Sequence, residues 1–380
     1  MIKLFVTGDI HIGRKYERYQ SISDTLIESR FCCLERCVEH AEKEACDYFV
    51  ITGDLFDRIS GISIHDVKRV VGILAGFNNP VLVLPGNHDY YSGQEKVWKD
   101  FSEAMSQSDH HICFLSETKK YRFGENEDSV TFYPALCGSK HSDKNNLDWI
   151  KQTMQDDAEF HVGIAHGAIE GLSQDSENRY FRMTMGELES LPMDIWLIGH
   201  THVPFPDSLD AEKETFGFKV FNAGTPEQLD LSNNTSGQCF VISLDKKDGR
   251  TMVGARKFDS GAVRYADLIV QTGNRSLEEA LESVLKDVQE NTVVHLKISG
   301  TVSESDYRDR LQIYDRLRKR FLDLEIVEDG LSERISKEKI RAEFPEISFA
   351  AKFLERLDDP AEIQQAYQLI RKHQESEDGR

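Results

Sequence analysis

Ile2-Lys3-Leu4-Phe5-Val6-Thr7-Gly8-Asp9-Ile10-His11 is the stretch whose reading decides the fold. A short apolar run stops at a glycine and is followed at once by an acid and an imidazole. The same form returns four times. Residues 48–52 lead into Gly53-Asp54-Leu55-Phe56-Asp57, and 81–84 into Gly86-Asn87-His88-Asp89. Residues 161–165 lead into His166-Gly167, and 195–198 into Gly199-His200-Thr201-His202. Between the first runs, Phe31, Leu34, Val38 and Ala41 recur at helical spacing, as do Val67, Val70, Val71 and Leu74. Strand, helix, strand in that order predicts a largely parallel sheet with covered faces. Ligands bind beyond the carboxyl ends of such strands, so side chains far apart in sequence converge on one edge. Residues 219–222, 239–244 and 250–258 read as further strands, in a second sheet or at a sheet edge, which makes the whole an α/β sandwich.

The pattern changes near Ser260-Gly261. Strands at 268–271, 293–299 and 324–327 alternate with helices, the first opened by the capping box Ser276-x-x-Glu279 and the second spanning 306–321. This predicts a small βαβαβ unit. In the tail, Phe349, Phe353, Leu354 and Leu357 form one apolar helix face, and Ile363, Tyr367 and Ile370 form another after Asp359-Pro360. The expected organisation is therefore a catalytic domain over 1–262, a second domain over 263–332 and a helical extension over 333–380.

The composition, 39% hydrophobic and 29% charged, is that of a globular chain. No apolar run reaches the roughly 18 residues of a membrane span. The first residues carry no secretory h-region, so a cytoplasmic location is expected. Seven scattered cysteines show neither zinc-ribbon spacing nor a disulfide framework, and Cys33 and Cys37 read as buried thiols. The net charge of −20 is unlike a protein that grips duplex unaided, which shows a basic face. A polynucleotide substrate would need a local basic patch, bound metal ions or a partner subunit.

The polar clusters suit a pair of divalent cations. One carboxylate can bridge two ions while imidazoles and an amide oxygen complete each shell. Mixed oxygen and nitrogen donors without thiolate favour Mn, Fe or Zn. Singly, an Asp-x-His or a His-x-His is most often a turn or a surface pair, but five such segments in order, all at strand ends, point to one site.

Together they resemble the signature of the calcineurin-like metallophosphoesterase superfamily: D-x-H, GD-x-x-D, GNH-D/E, H and GH-x-H. The resemblance covers about residues 1–225 and implies a four-layer α/β sandwich. It assigns Asp9, His11 and His202 to one metal, Asn87, His166 and His200 to the other, and Asp54 to both. His88 would then be the catalytic acid, oriented by Asp57. Two such cations, Mn2+ first among the candidates, acidify a shared water for in-line attack and clamp the phosphoryl oxygens. Asp89 reads either as a cap of its own turn or as a partner behind the ligands.

Within the superfamily the chain is most similar to the SbcD-type DNA repair exonuclease subunits. The carriers of that similarity are Gly53-Asp54-Leu55-Phe56-Asp57 and Asn222-Ala223-Gly224-Thr225-Pro226-Glu227, although Thr225 stands where the family's turn usually has serine. It implies a capping domain, a DNA substrate, an SMC-like ATPase partner and dimerisation through the N-terminal helices. The C-terminal helices would either dock that partner or pack on their own domain. Arg14, Lys15 and Arg18 are candidates for phosphate contacts, and Tyr16, Tyr90 and Tyr91 for base stacking or packing. Trp98 reads as helix core. A small-molecule or cyclic-nucleotide phosphodiesterase, or a phosphatase, is the alternative function.

Overall fold

The fold is built on two sheets whose apolar residues alternate between faces. The computed structural model describes residues 1–107, 111–153, 155–173, 179–233, 235–273 and 275–378. Its compact units are Met1–Tyr265 and Ala266–Arg380.

In the first unit the chain runs β1 (Ile2–Thr7), α1 (Ser23–Lys43), β2 (Tyr48–Ile51), α2 (Ile64–Leu74), β3 (Val81–Val83), α3 (Lys96–Ser106) and β4 (Ile112–Phe114). It continues through β5 (Tyr121–Phe123), β6 (Val130–Ala135), α4 (Asp148–Lys151), β7 (Phe160–His166), α5 (Met185–Ser190) and β8 (Ile195–Gly199). β9 (Thr215–Phe216), β10 (Val220–Asn222), β11 (Gln238–Lys247) and β12 (Arg250–Asp259) complete it, and β13 (Arg264–Gln271) leads out.

The larger sheet has seven strands in the order β4-β3-β2-β1-β11-β12-β9, with β1 to β4 parallel and β11 antiparallel to β1. The second has five, β10-β8-β7-β6-β5, parallel except for β5. Leu4, Val6, Val50, Leu82 and Ile242 of the first sheet share one core with Phe132, Val162, Ile164, Leu197 and Phe221 of the second. Phe5, Phe49, Ile51 and Val83 point the other way, into a core with α1, α2 and α3. Ala135, Ala165 and Ile198 face α4 and α5 through Ile150 and Leu188. The result is helices, sheet, sheet, helices: the expected four-layer α/β sandwich.

The later strands resolve the open reading between a second sheet and a sheet edge, and one expectation is corrected. Residues 239–244 and 250–258 form no separate sheet: as the β11–β12 hairpin they extend the first one, and β11 lies directly beside β1. Residues 219–222 instead lengthen the second sheet as β10. The ligand-bearing strands are therefore divided between two sheets, β1, β2 and β3 in one and β7 and β8 in the other, so two carboxyl edges, not one, bring the ends together.

The second unit continues with α6 (Leu277–Leu285), β14 (Thr292–Val302), α7 (Glu304–Arg318), β15 (Asp323–Glu333), α8 (Lys337–Glu343), α9 (Phe349–Leu354) and α10 (Pro360–Asp378). Its three-stranded sheet β13-β14-β15 and helices α6 and α7 enclose Val270, Leu281, Leu285, Leu296 and Tyr314. The Ser276–Glu279 capping box forms as read. The tail helices gather Ile340, Phe344, Ala351, Leu354 and Ile363 into a small core of their own. Phe349 stacks on Phe353 on the surface and is 82% exposed. Among the described residues no helix is long and apolar enough to cross a membrane.

Candidate metal centre

Each ligand loop leaves its strand through a turn that puts a polar side chain back over the strand end. Four residues of these turns, Asp9, His11, Asp54 and His200, have φ of 51°, 53°, 50° and 96°. Non-glycine residues avoid this region, and such strain persists where surrounding structure enforces it, commonly at functional sites. The neighbouring glycines leave no room for a side chain: a Cβ on Gly53 would lie 2.1 Å from His166 Nδ1, and one on Gly86 2.2 Å from Asp54 Oδ1.

The side chains meet in two groups around Asp54. In the first, His202 Nε2 lies 3.3 Å from His11 Nε2 and 3.5 Å from Asp9 Oδ1, and His11 Nε2 is 3.8 Å from Asp54 Oδ2. In the second, Asn87 Oδ1 is 2.9 Å from both His166 Nε2 and His200 Nδ1, and His166 Nε2 is 3.5 Å from Asp54 Oδ1. The His166 Nδ1–H donates to Thr52 O at 2.9 Å, which orients the ring so that Nε2 faces Asn87 and Asp54. Asp9, His11, Asp54, Asn87 and His166 are all buried.

This donor set fits divalent cations. His166 Nε2, Asn87 Oδ1 and Asp54 Oδ1 are three electron-pair donors converging without a hydrogen between them unless a proton is added. Asp9 Oδ1 is buried with no hydrogen-bond partner. Three triads, Asp9–His11–His202, Asp9–Asp54–His166 and His11–Asp57–His88, each offer three ligand atoms within 4.8 Å of one another. The electrostatics agree. Burial works against a charged His166, but the Asp54 carboxylate outweighs it and raises the imidazole to about 9. Burial would likewise raise the Asp54 carboxyl, yet His166, His11 and His88 hold it well below the usual carboxylate range. His200 is pushed down to about 4 by burial and by the charge of His166. The cluster thus draws positive charge to the space between Asp54 and His166.

His88 stands beside the first group, its ring 4.9 Å from that of His11 and perpendicular to it. The expected pairing with Asp57 takes another form: His88 Nδ1 meets the main-chain carbonyl of Asp57 at 3.0 Å. The Asp57 carboxylate lies 3.4 Å from His11 Nδ1 and 3.3 Å from Arg58. The His88 backbone N–H donates to Asp54 Oδ1 at 2.8 Å, so the two loops are locked together. Asp89 caps its own turn and also ties it to the neighbouring loop. It accepts from Gly86 N in its own turn at 2.7 Å and from Phe56 N in the neighbouring loop at 2.9 Å. Burial, with Asp54 nearby, raises its carboxyl to about 8. Trp98 is buried in the helix core and its indole donates to Asp89 O.

The candidate substrate residues divide. Arg14, Lys15 and Arg18 line a cavity of about 410 Å3 with Asp230, and Arg14 is bound to that carboxylate at 2.9 Å. Tyr90 is partly exposed. Tyr91 packs on Phe114, and Tyr16 is buried with its hydroxyl accepting from Arg30, so neither is a free stacking platform. Sequence reading missed Tyr180, whose ring lies 4.9 Å from that of His200. Nothing in its local sequence marks it, because the loop reaches the site only through the fold.

A protein-family model, calcineurin-like phosphoesterase, matches residues 2–204, more than half of the chain. The chain belongs to the calcineurin-like phosphoesterase family. It is similar to the metallophosphoesterase YhaO of Bacillus subtilis, 22% identical over 205 residues that cover 51% of this chain and 47% of that protein. It is also similar to a component of nuclease SbcCD of Staphylococcus epidermidis, 24% identical over 236 residues, 54% of this chain and 58% of that one. The chain spans about half the length of the curated relatives it matches. Among solved structures, the calcineurin-like phosphoesterase YfkN of Bacillus subtilis aligns over 68% of this chain and 89% of that one, with 16% identity and a TM-score of 0.39.

Proposed function

We propose that this phosphoesterase is a two-metal phosphodiesterase that cuts DNA, working with an SMC-like ATPase in the cytoplasm. The observation that carries the reading is the convergence of Asp9, His11, Asp54, Asn87, His166, His200 and His202 around one shared carboxylate. Asp9, His11 and His202 would hold one ion, Asn87, His166 and His200 the other, and Asp54 both. Mn2+ is the favoured ion for this donor set, with Fe and Zn chemically admissible. Bound there, the ions supply an acidified water and charge neutralisation at the phosphoryl group.

The protein's own groups do the rest. The carbonyl of Asp57 accepts from the Nδ1–H of His88 and leaves the other ring nitrogen for the substrate; in the doubly protonated ring, that nitrogen gives its proton to the leaving oxygen. Asp57 itself steadies His11, and Asp54 anchors the backbone of His88. Lys15, Arg18 and Tyr90 are further candidates for contacts to a polynucleotide. Arg14 is already paired with Asp230 and would have to exchange partners.

The similarity to a subunit of nuclease SbcCD supports a nuclease that works with a further subunit; DNA and the ATPase are what the family resemblance adds. The net charge of −20 counts against unaided DNA binding, so this reading assigns the grip on DNA to the partner. Residues 263–332 would act as the cap, and in the extension over 333–380 the exposed Ile347 and Phe349 offer apolar surface for docking. The test is Mn-dependent digestion of linear single- and double-stranded DNA, beside bis-p-nitrophenyl phosphate, with wild type and His88→Ala. DNA cleavage lost in the variant at unchanged metal content is the expected result. Hydrolysis of the small diester alone, with or without the ATPase, would favour a small-molecule phosphodiesterase.

A further inference from the structure

Asp9 and His11 both sit in the left-handed region, at φ 51° and 53°, so the loop between them needs something to hold it. The carbonyls of Asp9 and Ile10, within that strained stretch, are gripped by two buried side chains that the proposed chemistry does not use. The single hydroxyl hydrogen of Thr225 is shared between Asp9 O, at 3.0 Å, and Glu227 O, at 2.8 Å, and Arg30 Nη1 donates to Ile10 O at 3.2 Å. Arg30 is 2% exposed and Thr225 1%. The guanidinium spends its other donors on Glu227 O at 3.2 Å, Gln228 O at 3.1 Å and the Tyr16 hydroxyl at 2.9 Å. Arg30 therefore straps the first ligand loop to the 225–228 turn.

That turn is itself anchored. Glu227 Oε1 accepts from Ala262 N at 2.8 Å and Val263 N at 2.6 Å, and its other oxygen takes Arg36 Nη2 at 3.1 Å. Gln228 Oε1 accepts from Tyr265 N at 2.9 Å. A buried guanidinium aimed mainly at carbonyls is costly to desolvate, and its placement on a strained ligand loop gives it a use beyond core packing.

We propose that Arg30 and Thr225 are positioning residues for the metal ligands Asp9 and His11. By fixing the carbonyls of Asp9 and Ile10 they set the turn that presents both side chains to a single cation. The inference rests on the two-metal reading above. Mutating such outer partners of metal ligands typically costs about 10–100-fold in metal affinity.

The experiment is Mn2+ titration calorimetry on the full metal-free chain, with thermal unfolding of each metal-free variant measured in parallel. Wild type should bind two equivalents. Thr225→Val, which keeps the shape and removes the hydroxyl, should weaken one equivalent by about 10–100-fold and leave the other unchanged. Thr225→Ser, which returns the hydroxyl, should restore it. Arg30→Lys keeps the charge but cannot span the carbonyls of Ile10 and Gln228, and it provides the same test should the valine variant not fold. Two equivalents bound as tightly in Thr225→Val and Arg30→Lys as in wild type would overturn the clamp. So would equal weakening of both equivalents, tracking the loss of thermal stability and not restored by serine. Wild type that binds no Mn2+ would instead overturn the two-metal reading, and the clamp's role with it.

Discussion

Strand β7 carries a buried histidine near each end, and the two could hardly be treated more differently. His161, near the start, meets the Tyr133 hydroxyl at 3.0 Å, and its backbone N–H donates to Asp194 at 2.8 Å. Burial lowers its pKa and keeps it a neutral packing group. His166, at the far end, faces Asp54 and Asn87 and is raised to about 9. Residue type and burial are alike; the difference is which edge of the sheet each one reaches. At the amino edge neighbours satisfy the ring. At the carboxyl edge the turns of β1, β2, β3 and β8 crowd electron-pair donors against it. The second unit makes the same point. Its strand–helix alternation is similar, yet among the described residues clusters of three metal-ligating side chains occur only in the first unit.

The largest effect should come from breaking the carboxyl edge. His166→Ala or Asp54→Asn removes charge stabilisation worth several kcal/mol, and phosphodiester hydrolysis should fall about 10^3-fold or more, with bound metal reduced. His88→Ala should cost roughly 10^2–10^4-fold in kcat while two metals per chain remain, as elemental analysis would show. In the second unit, Leu281→Ala leaves a cavity in a closed core and should destabilise that unit by about 2–5 kcal/mol, with the first unit's metal content unaffected in the same denaturation samples.

The smallest effect belongs to His161. Its folded pKa is lowered, so as pH falls below the usual value near 6.5 the unfolded chain takes up a proton that the folded chain refuses. Stability is therefore lost from about pH 6.5 downward and is flat above it. His161→Gln should flatten part of that slope in denaturant titrations on either side of that pH, without changing activity above it.

Much of this is legible in the chain. Glycine followed by acid, amide or imidazole at a strand end is a local signal, and all five such segments do reach one site. The capping box and the βαβαβ order are local as well. The long-range pairings are not. Nothing near Gln238–Lys247 says that it lies against Ile2–Thr7, or that the strand ends belong to two sheets. Tyr16 looks like an exposed loop aromatic until Arg30, from the helix Ser23–Lys43, is seen to claim its hydroxyl. The pairing of Asp57 with His88 can be expected by residue, but it runs through the carbonyl, because the turn aims the carboxylate at His11. Asp230 claims Arg14 from 216 positions away, beyond the reach of any pattern.

The most direct test of the central claim is anomalous X-ray diffraction from crystals of the chain loaded with Mn2+. Two peaks, roughly 3.5–4 Å apart and bridged by Asp54, are predicted, one beside Asp9, His11 and His202 and the other beside Asn87, His166 and His200. No peak at these residues in crystals grown with saturating Mn2+, or metal bound only elsewhere on the molecule, would contradict it.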